Sequence, residues 1–373
     1  MKLEKGSDIK LLVNNDFSDV LSLGTSIGLP EYNDRTKEWR VALTYNSEGI
    51  GFIYYNAITG VLNSEKTTSI NLFKQRISDL GTKKTKKKKV DKTYHISQLN
   101  NMLINGDSLI ELKKIPENSI DMVFTSPPYF NAKTEYSEFI NYESYLNFIN
   151  KIIKEIDRIL IPGKFFIMNS SPVLLPRIDR QHSSTRLAVP YDIHGLFMKN
   201  DYEFIDDIYW KKPEGAGWSA GRGRRFSADR NPMQYKPVPV TENIMVYRKK
   251  SDKLIDWFIR KHPQPDIIER SKVPDGYEKT NVWEINPAKD RRHPAIFPLE
   301  LAEKVIQYYS FENDVILDPF GGLATTAKAA LNLDRRFVSI ELDKNYFKSS
   351  LNDFNKDYAM YMPNIEIVNN KSK

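Results

Sequence analysis

The run Thr125-Ser126-Pro127-Pro128-Tyr129 combines residue types suited to holding a flat substrate that donates hydrogens. Two prolines fix φ and remove two backbone N–H donors. What is left to face a pocket is acceptors: backbone carbonyls and the Ser126 side chain. Such an array suits an amino group, which offers two hydrogens. Tyr129 adds a flat face against which a planar base can stack. Chemistry on a base amino group requires the base to leave its helix, and aromatic stacking of about 1–3 kcal/mol per base offsets part of that cost. The plainer reading of the same residues is a Pro-Pro turn that stops a buried strand.

A second group of residues is Asp318-Pro319-Phe320-Gly321-Gly322-Leu323-Ala324-Thr325-Thr326, between an apolar run and a helical pattern. In an open parallel sheet, ligands bind at the carboxyl ends of strands, where Gly permits tight turns and close approach. An acid roughly 20 residues past such a turn, here Glu341, is placed to accept both hydroxyls of a ribose. Asp318 can accept from an ammonium group. The phosphate-cradling pattern G-x-x-x-x-G-K-[ST] is absent, so a cationic sulfonium ligand without phosphates fits the acidic loop better. The alternative is an ordinary strand–helix turn.

Composition limits the remaining classes. The chain of 373 residues contains no cysteine and five histidines, which excludes disulfides, thiolate metal sites and cysteine nucleophiles, and leaves no metal site expected. A net charge of +7 and a pI near 9.1 suit a polyanionic partner without demanding one. With 12% aromatic residues the chain is expected to fold, and a start of Met-Lys-Leu-Glu-Lys with no long apolar run suggests a cytoplasmic protein without a signal peptide or membrane span.

The elements that must carry these residues are α/β in character. Ile120–Phe124 reads as a buried strand. Residues 143–160 have a helical period, ended by Pro162-Gly163, and Lys164–Met168 reads as the next strand. Helical patterns over 298–309, 324–333 and 343–356 alternate with strands at Val315–Asp318 and Phe337–Glu341, which implies a mostly parallel sheet. Residues 1–92 form an N-terminal extension with strand-like segments, such as Arg40–Tyr45 and Gly51–Tyr55. Its Lys-rich stretch at 82–92 is a solvated linker or a basic strap on phosphates. Residues 93–373 are expected to form the catalytic domain. Within it, 176–290 lose the α/β rhythm and are expected to be an insert.

Together, Ser126–Tyr129 and Asp318–Gly322 resemble the DNA amino-methyltransferases that make N4-methylcytosine or N6-methyladenine, whose base-binding tetrapeptide is [DNS]-P-P-[YFW]. With the catalytic motif ahead of the cofactor loop, the order is similar to the β group of that family, common in restriction–modification systems. The resemblance covers about residues 100–355 and extends to Asn105-Gly106-Asp107-Ser108, Arg292–Pro298, Trp210–Pro213 and Thr241-Glu242.

The resemblance implies a Rossmann-like S-adenosylmethionine-dependent fold, mostly parallel with one antiparallel strand. Ser126, Pro127, Pro128 and Tyr129 are then catalytic. Asp107, Phe297, Asp318, Phe320, Gly321, Gly322, Thr325 and Glu341 bind the cofactor S-adenosyl-L-methionine. Segment 176–290 reads the target through Arg222, Arg224, Arg225, Arg230 and Lys236, each of which could instead contact only phosphate. The implied partners are double-stranded DNA and, functionally, a cognate restriction endonuclease, for a monomer or homodimer. Without a cysteine, cytosine carbon-5 methylation is excluded, and Ser at 126 points to cytosine N4 ahead of adenine N6. An RNA or protein-amide methyltransferase, and a binding module that has lost the cofactor, are the other readings. In one respect the loop departs from the family: Leu323 and Ala324 stand where a small polar residue and a second Gly are usual. Ala324 is expected to be harmless provided its φ is negative.

Overall fold

A computed structural model of the chain describes residues 5–46, 48–81, 93–130, 141–175, 181, 185–213, 239–292 and 296–369. It divides into two compact units, Met1–Lys89 and Val90–Lys373.

The first unit carries the helices Gly6–Asp16, Ser18–Leu21 and Ile70–Leu80 and an antiparallel sheet. The sheet's strands are β1 (Ser26–Ile27), β2 (Glu31–Asn33), β3 (Glu38–Tyr45) and β4 (Glu48–Asn56). β3 pairs with β4 along one edge and with β1 and β2 along the other. Alternate residues of β3 and β4, Val41, Leu43, Ile53 and Tyr55, turn inward onto Ile9, Val13 and Phe17 of the first helix and its end and onto Phe73 and Ile77 of the last. This unit therefore owns a core.

The second unit is built on a sheet of nine strands. In chain order its strands are β5 (Asn101–Asn105), β6 (Ile120–Thr125), β7 (Leu160–Ser170), the short separate pair β8 (Val173–Leu175) and β9 (Thr185–Leu187), β10 (Tyr202–Lys211), β11 (Thr241–Lys249), β12 (Val282–Glu284), β13 (Val315–Asp318), β14 (Arg336–Glu341) and β15 (Ile365–Asn369). The large sheet has the order β12-β10-β11-β7-β6-β13-β14-β5-β15. Neighbours pair in parallel except where β11 meets β7 and β10, so β11 alone runs against the rest. Side chains alternate between two apolar layers, as the period of a strand dictates. Ile104, Val123, Leu317 and Val338 enter the layer beneath the helices Tyr142–Ile159 and Val189–Lys199. Leu103, Met122, Phe124, Ile316 and Phe337 enter the layer beneath Leu299–Tyr309, Thr325–Asn332 and Lys344–Asp357.

Two expectations are corrected. Segment 176–290 is not one insert, because the helix Val189–Lys199 and strands β10, β11 and β12 lie within it and extend the central sheet. β11 escapes a hydrophobicity reading because its buried positions include Glu242, Asn243 and Arg248. Pro162-Gly163 does not stop the preceding helix either. The helix ends at Ile159, and β7 starts at Leu160 and runs through both residues. Gly163 has φ +90°, and a Cβ there would meet the Phe258 ring at 2.8 Å. The pair sits opposite a register shift between β6 and β7, so it makes an irregularity within a strand.

Candidate active site

The chain leaves β6 through the helix Tyr142–Ile159 to β7 on one side, and leaves β13 through the helix Thr325–Asn332 to β14 on the other. Adjacent parallel strands whose connections diverge open a crevice at their carboxyl ends. Both groups of candidate residues sit there, Ser126–Tyr129 after β6 and Asp318–Thr326 after β13.

A buried hydrogen bond ties the two ends together. The Thr125 hydroxyl donates to Asp318 Oδ1 at 2.7 Å, and the Phe320 N–H donates to the same oxygen at 3.0 Å. Thr326 donates its hydroxyl to Asp318 Oδ2 at 2.7 Å. Asp318 is 2% exposed, and burial raises its pKa despite these donors. Both Asp318 oxygens thus accept from neutral donors of the protein, and the carboxylate joins the end of β6 to the loop after β13. The sequence does not mark Thr125 for that part, since its partner is remote in the chain.

Beyond Thr125, Ser126 and Pro128 are half-buried, and Pro127, Tyr129 and Phe130 are buried. Phe130 packs on Tyr142 and Tyr145 of the following helix, which anchors the segment. The Tyr129 hydroxyl donates to Glu242 Oε2 at 2.8 Å.

On the loop after β13, the Gly321 N–H donates to the Ile340 carbonyl at 2.8 Å. A Cβ at Gly321 would lie 2.2 Å from Ser339 Oγ, so any side chain there would force Ser339 to move where the loop approaches β14. Gly322 has φ +55° and donates its N–H to Glu341 Oε2 at 2.7 Å. The Asp343 N–H donates to Glu341 Oε1 at 2.7 Å. Burial pushes the Glu341 carboxyl up to about 7, against the pull of these two N–H groups. Ala324 fails the condition set for it: its φ is +58°, at 2% exposure, where an L residue is strained. Thr325 opens the next helix and is half-buried.

The end of β5 closes the same rim. Asn105 Nδ2 donates to the Glu341 carbonyl at 2.8 Å, and the Ser108 hydroxyl donates to the Pro319 carbonyl at 2.5 Å. Asp107 Oδ1 accepts from the Leu109 and Ile110 N–H groups, capping a short helical turn, and its other oxygen takes no part in the cap. Phe297 packs on Phe124 with centroids 5.1 Å apart, and Phe320 packs on Phe148. Among the described residues no three His, Asp or Glu side chains gather in a metal-holding group.

Comparison with known proteins decides the family. A profile of the DNA methylases that modify N6 or N4 matches residues 120–352, which include both Ser126–Tyr129 and Asp318–Thr326. The chain belongs to this DNA methylase family. Among curated relatives, the type II β methyltransferase M.BslI of Bacillus sp. (strain NEB-606) is 30% identical over 257 residues, 66% of this chain and 27% of that protein. M.BglII of Bacillus subtilis is 31% identical over 261 residues, 66% of each chain. The DNA adenine methyltransferase YhdJ of Escherichia coli K12 is 29% identical over 266 residues, 67% of this chain and 81% of that one. This methylase therefore spans less than two thirds of the length of the first two relatives. A Thermus thermophilus protein described as a DNA modification methylase, solved with S-adenosyl-L-methionine, shares the fold at TM-score 0.59 and 24% identity. The match covers 74% of this chain and 100% of that one.

Several expected positions of the methylase lie outside the described residues: Arg222, Arg224, Arg225, Arg230 and Lys236, the Lys-rich stretch, and His293–Ala295. Sequence alone assigns no role to three residues around Tyr129. Asn169 Nδ2 donates to Glu242 Oε2 at 2.8 Å, and Lys212 pairs with Glu242 Oε1. The only sequence signal for Lys212 and Glu242 is their place in segments resembling family landmarks.

Proposed function

We propose that this methylase transfers a methyl group from S-adenosyl-L-methionine to the exocyclic N4 of cytosine in a short DNA site. The observation that carries the reading is the Thr125–Asp318 hydrogen bond, which holds an acceptor-rich, aromatic strand end against a glycine loop at a sheet crevice.

The residues around the crevice fit this cofactor. Gly321 and Gly322 leave the loop without side chains at the rim, Glu341 brings a half-buried carboxylate to the end of β14, and Asp107 keeps one oxygen out of its cap. Glu341 would accept the ribose hydroxyls and Asp107 would lie by the adenine. The cofactor supplies an electrophilic methyl on a sulfonium. The chain's own part is to bind and orient the amine. Ser126 and the Pro127 carbonyl accept its two hydrogens, which raises electron density on nitrogen and turns its lone pair outward. Tyr129 stacks on the ring. Proximity and fixed acceptors then lower the barrier.

Ser in the first position of the tetrapeptide favours cytosine. The E. coli adenine methyltransferase, 29% identical over 67% of this chain, favours adenine N6 as the second reading. By likeness to the type II enzymes, the cellular role is protection of prokaryotic DNA from a cognate endonuclease, in the cytoplasm. Incubation with unmodified DNA and cofactor, then nucleoside mass spectrometry, tests the reading. N4-methylcytosine is expected, N6-methyladenine transfers the assignment to the second reading, and unmethylated DNA overturns both.

A further inference from the structure

Beneath Tyr129 lies a polar cluster that the reaction just described does not use. We propose that Glu242, held by Lys212 and Asn169, is a positioning residue that fixes the Tyr129 ring for base stacking. The inference rests on the reading of Tyr129 as the platform for the target base.

Four segments meet in this cluster. Tyr129 follows β6, Asn169 lies near the end of β7, Glu242 near the start of β11, and Lys212 directly after β10. Glu242 Oε2 accepts from the Tyr129 hydroxyl and from Asn169 Nδ2, each at 2.8 Å. Its other oxygen pairs with the Lys212 ammonium, which also lies 4.3 Å from the centroid of the Trp210 ring. Glu242 is 6% exposed and Asn169 is 1% exposed. The Asn169 amide has one sensible orientation, because the reverse would set its oxygen against the carboxylate.

Such a cluster is a poor way to gain stability. A buried ion pair does about as well as apolar residues of the same volume, or worse. Among the described residues, the Asn169 Oδ1 is also buried without a hydrogen-bond partner, which is unfavourable. What the cluster supplies is direction. A tyrosine ring on a loop turns about its side-chain bonds, and a charge-assisted hydrogen bond to a carboxylate anchored from two strands removes that freedom. The ring face is then set before a base arrives, and the Lys212 cation offsets the negative charge that does the holding.

A double-mutant cycle on the full chain tests this, with unmodified genomic DNA and S-adenosyl-L-methionine as substrates. Y129F removes the donor hydroxyl and E242Q removes the charge of its acceptor, each while keeping side-chain size. Each is expected to lower kcat by about tenfold to a hundredfold, the scale of small misplacements at a reacting centre. KM for the cofactor should stay unchanged, and the double variant should be no slower than the slower single. Multiplying effects, or full turnover in E242Q, would overturn the proposal. If E242Q fails to fold, K212M serves in its place, since it keeps the stem over Trp210 and removes the charge; full turnover there also overturns it. Y129A separates the two readings. If it turns over normally, the base platform itself is wrong; if it is inactive while E242Q is normal, only the positioning role falls.

Discussion

At the scale of single residues, the site stores strain in one place and a delayed ionisation in another. Ala324 takes a left-handed φ that costs an L residue about 1–2 kcal/mol, against roughly 0.5–1 kcal/mol for the added chain freedom of glycine. A324G should therefore stabilise the fold by up to about 1 kcal/mol, read as a higher urea midpoint at unchanged slope. Glu341 sits near 7 chiefly because it is buried. A carboxyl raised in this way opposes folding once ionised, so its contribution to stability falls as pH rises from the ordinary carboxylate range through 7. If Glu341 accepts the ribose hydroxyls as proposed, cofactor binding runs the other way, because the ionised carboxylate is the better acceptor. Affinity measured by calorimetry should climb several-fold between about pH 6 and 8, and E341Q should flatten that profile. Neither feature is readable from the chain. The φ of Ala324 is imposed by the turn into Thr325–Asn332, and the burial of Glu341 depends on β14 and the loop after β13 lying side by side.

At the scale of elements, legibility depends on where the polar residues lie. The helix Tyr142–Ile159 announces itself because six buried side chains recur on one face. β6 and β13 read as strands from short apolar runs. β10 and β11 do not, because exposed Phe204 and Ile205 blur one and buried charges fill the other. β6, β7 and the residue just before β13 also share an ionic group away from the crevice. Lys164 lies 2.9 Å from Asp314 Oδ2 and 3.3 Å from Asp121 Oδ1, with all three residues buried. Burial alone would lower the Lys164 pKa, but the two carboxylates, Asp314 first, hold it above its ordinary value. Burial and then Asp314 push Asp121 up to about 6, with Lys164 pulling down. Removing the cation strands two carboxyls in the sheet, so K164M should cost about 3–5 kcal/mol in urea melts. Asp121, raised above its ordinary value, should contribute a loss of stability as pH rises from the ordinary carboxylate range through 6, and D121N should remove that part of the loss.

At the scale of the whole molecule, each of the two units carries its own core, and the candidate site belongs wholly to the second. Scanning calorimetry should resolve two transitions, and S-adenosyl-L-methionine should raise only one of them, by about 2.7 kcal/mol at a hundred times its Kd. DNA affinity should fall with salt in proportion to the phosphates contacted. Replacing Arg222, Arg224 and Arg225 together should flatten that dependence by about three units of slope if all three touch phosphate.

The order of the central sheet also governs how the chain reaches its folded state. β5 and β6 follow each other closely in the chain, yet β13 and β14 lie between them in the sheet. The Thr125–Asp318 bond closes a separation of 193 residues. A ribosome thus releases β5 and β6 long before the strands that must slot between them, with open hydrogen-bonding edges waiting on both. Late, non-local pairing of parallel strands is slow and exposes aggregation-prone edges. Refolding should be limited by insertion of β13 and β14, and fragments that end before β13 should aggregate. The crevice is then among the last parts of the molecule to form.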